Sequence, residues 1–147
     1  MAKKKVDDPS TAQALALANK GIACDARGET VQALEHWQAA SDYADQHLHG
    51  ADIWYWIKSG LGAALLETGE FQKSIAVSQL ALEWCAKIKQ PLPSLTIAKC
   101  YFKLGDPAAA MPYAERAYHL KGDRISDWFE QAQWSQIQNY LHERRPS

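Results

Sequence analysis

Apolar residues recur every three or four positions along most of this chain, and no stretch alternates apolar and polar for long. That periodicity predicts helices and no strands. The clearest stripe is Ala33, Leu34, Trp37, Ala40, Ala44 and Leu48, with Glu35, Gln38, Asp42, Asp45 and Gln46 opposite. It marks a helix over about 30–47 with one face for a core and one for water. Ahead of it, TAQALALANKGIACDAR predicts a helix through Arg27, capped by Ser10 or Thr11 and stopped by Gly28. Helices over about 51–68 and 71–89 follow, with Gly69 between them. The second of these is apolar on two stripes. Phe71, Ile75, Ser78, Leu82 and Cys85 form one; Val77, Leu80, Trp84 and Ile88 form the other. Such a helix is expected to lie between neighbours.

Pro91 and Pro93 punctuate the chain, and a fifth helix is predicted over about 94–104, ending at Gly105. Asp106-Pro107 then opens a sixth: Asp caps, and Pro takes the first helical position, where its missing N–H costs nothing. Pro112 lies inside that helix, where a proline costs ~3 kcal/mol unless packing offsets it, and predicts a kink. Gly122 ends the helix after Lys121. A seventh helix over 124–143 carries Ile125, Trp128, Phe129, Ala132, Ile137, Tyr140 and Leu141 on one stripe. Trp134 lies about half a turn away, which makes it exposed, a binding anchor, or packed on a second surface. Residues 1–9 read as a flexible tail and 10–147 as a single domain.

At 147 residues, 47% of them hydrophobic, the chain can bury one domain core. The formal net charge of -1 gives no global field for nucleic acid or an anionic membrane, so neither is expected as a partner. The start, MAKKKVDDPS, has no apolar run behind its lysines and is not a secretory signal. Lys3 to Lys5 read as a solvated tail rather than a nuclear signal. No run approaches the roughly 18 apolar residues of a membrane span. Cys24, Cys85 and Cys100 are an odd set without paired spacing, each at an apolar helical position. They predict buried, reduced thiols and a cytoplasmic protein.

The turn glycines Gly28, Gly69 and Gly105 stand 41 and 36 residues apart. Seven before each stand Gly21, Gly62 and Ala98; five after, Ala33, Ser74 and Ala110; twelve after, Ala40, Ala81 and Ala117. Larger residues such as Trp37, Leu65, Phe71 and Tyr101 fill the gaps. Small stations between large ones let antiparallel helices interlock.

This pattern resembles the tetratricopeptide repeat (TPR), a helix-turn-helix unit of about 34 residues. The resemblance rests on Gly21, Ala33, Trp37 and Ala40; on Leu61, Gly62, Phe71 and Ala81; and on Ala98, Tyr101, Ala110 and Ala117. It departs from the family in the long connection between the first two repeats, in Ser78 where an aromatic is usual, and in its proline register. It implies an all-α solenoid of three repeats, over about 14–49, 51–90 and 92–121, with 124–143 as a capping helix. It also implies a concave groove lined by the first helix of each pair. The groove candidates are Leu15, Ala18, Ile22 and Asp25; Trp56, Ser59, Ala63 and Leu66; and Leu95, Lys99, Phe102 and Lys103. A subset of the family clamps an acidic chaperone C-terminus, but Ile22 stands where that clamp needs asparagine, so that partner is not expected.

Lys99 and Lys103 share a face with Phe102 beside them, either a cationic-aromatic spot or a solvated face with one buried ring. Of Trp54-Tyr55-Trp56, three consecutive helical residues about 100° apart, at least one should leave the core unless the loop at 48–52 covers all three. Trp56 is the groove candidate. Catalytic signatures are missing: there is no phosphate loop, nucleophile elbow or HExxH. His47, His49 and Asp52 straddle a break without a clear further ligand, so no metal and no cofactor are expected. The expected function is non-enzymatic protein binding through Trp56, Ser59, Ala63, Lys99, Phe102, Lys103 and Trp134. A bacterial immunity protein occluding its cognate toxin is one form of it. A secretion chaperone is another, and an adaptor or homo-oligomer scaffold with Trp134 as self-contact is a third.

Overall fold

A computed structural model describes residues 8–144 of the chain. Most of the expected N-terminal tail, Lys3 to Lys5 included, lies outside the described residues, as do residues 145–147. The helices are α1 (Pro9–Ala26), α2 (Thr30–His47), α3 (Asp52–Glu67), α4 (Phe71–Lys87), α5 (Leu92–Lys103), α6 (Pro107–Lys121) and α7 (Gln131–Glu143). A 3-10 segment, Gly122–Trp128, separates α6 from α7. The described residues contain no strand, and none of their helices is long and apolar enough to cross a membrane.

One turn recurs. At Gly28, Gly69 and Gly105 the backbone is left-handed, with φ of 75°, 84° and 78°. In each, the next N–H reaches the carbonyl five residues back: Glu29 to Cys24, Glu70 to Leu65 and Asp106 to Tyr101, all at 2.9 Å. This satisfies helix-end carbonyls and reverses the chain. The same turn closes α4 without glycine: Lys89 holds φ 64° and Gln90 N–H donates to the Cys85 carbonyl at 2.8 Å.

Two expected boundaries move. Asp8, not Ser10 or Thr11, caps α1: its carboxylate accepts the Ser10 N–H at 2.9 Å, and Pro9 takes the first helical position. The expected helix over 124–143 is broken. Phe129 and Glu130 are extended, and Glu130 caps α7 by accepting from the Gln133 backbone while its own N–H donates to Gln133 Oε1 at 3.0 Å. The first half of the stripe therefore belongs to the 3-10 segment. α6 continues through Pro112 without a break.

Helices pack in chain order, each on the next from α1 to α6, and α3 also touches α1 and α5. Buried clusters follow the same order, from Ala14 and Trp37 through Leu66 and Ile97 to Ala98, Ile125 and Ile137. All nine small stations of the sequence pattern are buried. So are the three cysteines. α4 buries its Ile75, Ser78, Leu82 and Cys85 stripe, but its second stripe is only half covered: Val77 and Trp84 are half-buried, while Leu80 is 48% and Ile88 49% exposed.

At Gly62, α3 and α4 meet without room for a side chain. Ser74 Oγ donates to the Gly62 carbonyl at 2.6 Å, and an added Cβ would collide with Ser78 Oγ. That hydroxyl is fully buried and has no hydrogen-bond partner among the described residues. Gly62→Ala should therefore cost about 1–3 kcal/mol by overpacking. Ser78→Ala alone should leave stability level or higher, because it removes an unpaired polar atom. Combined with Gly62→Ala it should recover part of the loss. Urea midpoints check this; a harmless Gly62→Ala would contradict the packing.

Candidate functional site

A cleft of about 430 Å³ opens between the end of α3, the last turns of α5 and the junction before α7. Leu66, Glu67 and Gly69 come from the α3 turn, and Phe71 opens α4. Lys99 and Lys103, one helical turn apart, come from α5. Asp127, Trp128, Phe129, Glu130 and Gln133 close the far side. The Glu130–Gln133 capping box fixes where the chain leaves the 3-10 segment, and so where Trp128 stands.

Lys99 Nζ sits 5.6 Å from the centre of the Trp128 ring, and Trp128 is 44% exposed. Such a contact at a partly exposed site contributes only about 0.5–1 kcal/mol. Neither Lys99 nor Lys103 is ion-paired among the described residues. Glu67, Asp127 and Glu130 also line the cleft and are exposed, whereas Lys99 is half-buried. The cleft thus offers two ammonium groups without a carboxylate partner among the described residues, aromatic faces and a partly acidic margin. Its lining holds no nucleophile beside a base. It can hold a charged and apolar surface by contact.

Of the sequence candidates, the cleft unites Leu66, Lys99 and Lys103. Phe102 points elsewhere, against Phe129 at 6.0 Å between ring centres. Trp56, Ser59 and Ala63 do not line it. Trp56 is half-buried with its ring edge-on to Trp37 at 5.7 Å, and the buried Ser59 hydroxyl donates to the Trp56 carbonyl at 2.7 Å. Trp134 is half-buried against Ile125 and Ile137. On α1, Leu15 and Ile22 are exposed, Ala18 is buried, and Asp25 accepts the Trp37 indole N–H at 3.2 Å. Leu95 is fully buried. Trp128 was hidden from sequence reasoning because an unbroken helix would have put it in the core.

The aromatic triplet in α3 is packed rather than displayed. Tyr55 stacks on Trp84 at 5.8 Å, and the Trp84 indole donates to Asp52 at 3.0 Å. Trp54 is buried and donates to Asp45 at 2.8 Å. The same carboxylate pairs with Lys58 at 2.9 Å, a buried lysine that also donates to Ser41 Oγ at 2.7 Å. A lone cation in the apolar run of α3 was the signal for this network. His47 lies against Tyr43 and His49 against Trp54, and no group of three or more metal-binding side chains occurs among the described residues.

Neither a known protein-family model nor a curated protein sequence matches this chain.

Partial burial pushes the Asp45 carboxyl upward, but hydrogen bonds from Lys58 and Trp54 and the Lys58 charge outweigh it and hold its pKa below the ordinary value. A lowered carboxyl pKa contributes stability above the unfolded value, and that stability is lost as pH falls through the folded one. Asp45→Asn should therefore be less stable than wild type near neutral pH, by about 1–2 kcal/mol since the group is half-exposed. The gap should narrow as pH drops below about 4. A gap that does not change with pH would contradict the ion pair.

Proposed function

We propose that this chain is a TPR-like solenoid of three repeats, over about 14–49, 51–90 and 92–121, closed by the 3-10 segment and α7, and that it binds one protein partner without chemistry. Three identical glycine turns, nine buried small stations and the contacts of α3 with both α1 and α5 support the repeat reading. The observation that carries the binding reading is the pair of lysines, neither ion-paired among the described residues, beside the half-exposed Trp128 in one cleft.

The chemistry of that cleft selects its partner. Two ammonium groups offer charge-assisted hydrogen bonds to a carboxylate. Trp128, Phe71 and Phe129 offer apolar area to a neighbouring ring or long side chain. Glu67, Asp127 and Glu130 repel an unbroken polyanion, so specificity comes from exclusion as well as attraction. The preferred ligand is a protein segment with an acidic residue next to a large apolar one. Occlusion of a toxin needs only such stoichiometric cover, and it is the form of the function we favour. A secreted client or regulatory target would use the same cleft.

The test is affinity capture from the native host, followed by calorimetry with the enriched partner. A Lys99→Glu, Lys103→Glu double variant should bind at least about tenfold more weakly. Trp128→Ala should do likewise. Both should keep their unfolding free energies to within about 1 kcal/mol. Equal affinity for wild type and variants would overturn the reading.

A further inference from the structure

Helix α1 carries a second surface that shares no residue with the cleft. At 100° per residue, seven side chains fall within about 60° of the direction of Asn19. They are Asn19 itself, Leu15 and Ile22, and the alanines at 12, 16, 23 and 26. All seven are exposed, Leu15 at 41% and Ile22 at 42%. The buried side of α1, Ala14, Ala18, Gly21 and Cys24, packs within the stack. No charge falls on the outward face. Lys20, Asp25 and Arg27 stand beyond its edges. By contrast, the exposed side of α2 carries Glu35, Asp42 and Asp45. Water-facing helices are normally charged, so an uncharged face with two large apolar residues is suited to being covered.

We propose that this face is the interface of a homodimer in which two α1 helices pack antiparallel, centred on Asn19. The pattern is its own complement. Apolar residues stand three, four and seven positions to either side of Asn19. In an antiparallel pair, Leu15 meets Ala23 of the second copy and Ala16 meets Ile22. Both of these layers join one large residue to one small, and Ala12 meets Ala26 beyond them, which lets the helices approach closely. A parallel pair would set Leu15 against itself and Ala16 against itself, giving uneven layers. Asn19 would face its own symmetry mate, and its amide has both donors and an acceptor to pair with a copy of itself. A single buried asparagine in an apolar seam fixes register. With no charge to complement, the face offers a charged partner nothing, whereas a second copy matches it layer by layer. A two-fold contact one helix wide is at the small end of stable interfaces, so the dimer is concentration-dependent.

Sedimentation of the purified full chain across a wide concentration range is the first measurement. It should show a reversible rise to twice the chain mass. Leu15→Glu with Ile22→Glu should stay monomeric with an unchanged helical circular dichroism spectrum, because both positions are exposed. Cysteine placement tests the register, since the native thiols are buried. Asn19→Cys should give a disulfide-linked dimer under mild oxidation. Ala12→Cys should not, because the two copies of that position lie about 21 Å apart along the helices, beyond disulfide reach. A monomer at every concentration, a dimer that survives the double glutamate variant, or equal cross-linking at 12 and 19 would each overturn the proposal. Binding at the cleft is read separately, by the Lys99 and Lys103 variant, so either result stands without the other.

Discussion

The indole of Trp37 holds three helices at once. It projects from α2 and is almost wholly buried, at 5% exposure. On one side it lies on Gly21 of α1, where an added Cβ would stand 2.8 Å from Trp37 Cδ1. On the other it lies on Gly60 of α3, where a Cβ would overlap the far edge of the ring. Gly21 thus makes room for the pyrrole end of the indole and Gly60 for its benzene end. Asp25 holds the ring nitrogen, and the Trp56 ring abuts the indole edge-on. The spacing of the first three helices follows from how this one side chain is seated.

That seating reaches the cleft through α3. The helix is fixed by Trp37 at Gly60, crosses α4 at Gly62 and α5 further on, and ends in the Leu66–Gly69 turn that forms one wall of the cleft. The other wall has weaker support. α7 buries Ile137 and is tied to α6 at the surface by the Arg144–Glu115 pair at 2.9 Å. A surface pair of this kind adds little stability. One wall is therefore part of the main stack, and the other rests on a short capping box.

Much of the fold was legible because its signals are local. Glycine at 28, 69 and 105 stops a helix by backbone conformation alone, and Asp106-Pro107 starts one by capping. The small stations were legible because they repeat. What was missed is tertiary or depends on register. Lys89 adopts a glycine-like turn that its side chain does not announce. Gly60, as close to Trp37 as Gly21 is, falls outside the repeated positions. Leu80 and Ile88 on the second stripe of α4 looked buried because apolar periodicity shows which residues share a face, not what covers it. The break at Phe129–Glu130 shifted the register of everything beyond it. Trp128 moved from the assumed core to the cleft, while Trp134, read as off the stripe, came to lie half-buried against Ile125 and Ile137. Lys99 and Lys103 were visible as a pair one turn apart, but Glu67, Asp127 and Glu130 reach them only through the fold.

The dependence of the stack on one ring is most directly tested by urea unfolding of Trp37→Ala, followed by far-ultraviolet circular dichroism. A large aromatic removed from a packed slot should cost about 3–5 kcal/mol, lowering the midpoint steeply while the folded spectrum stays helical. An unfolding curve that superimposes on the wild type would mean that the three helices keep their spacing without the ring, and the account would fail at its base.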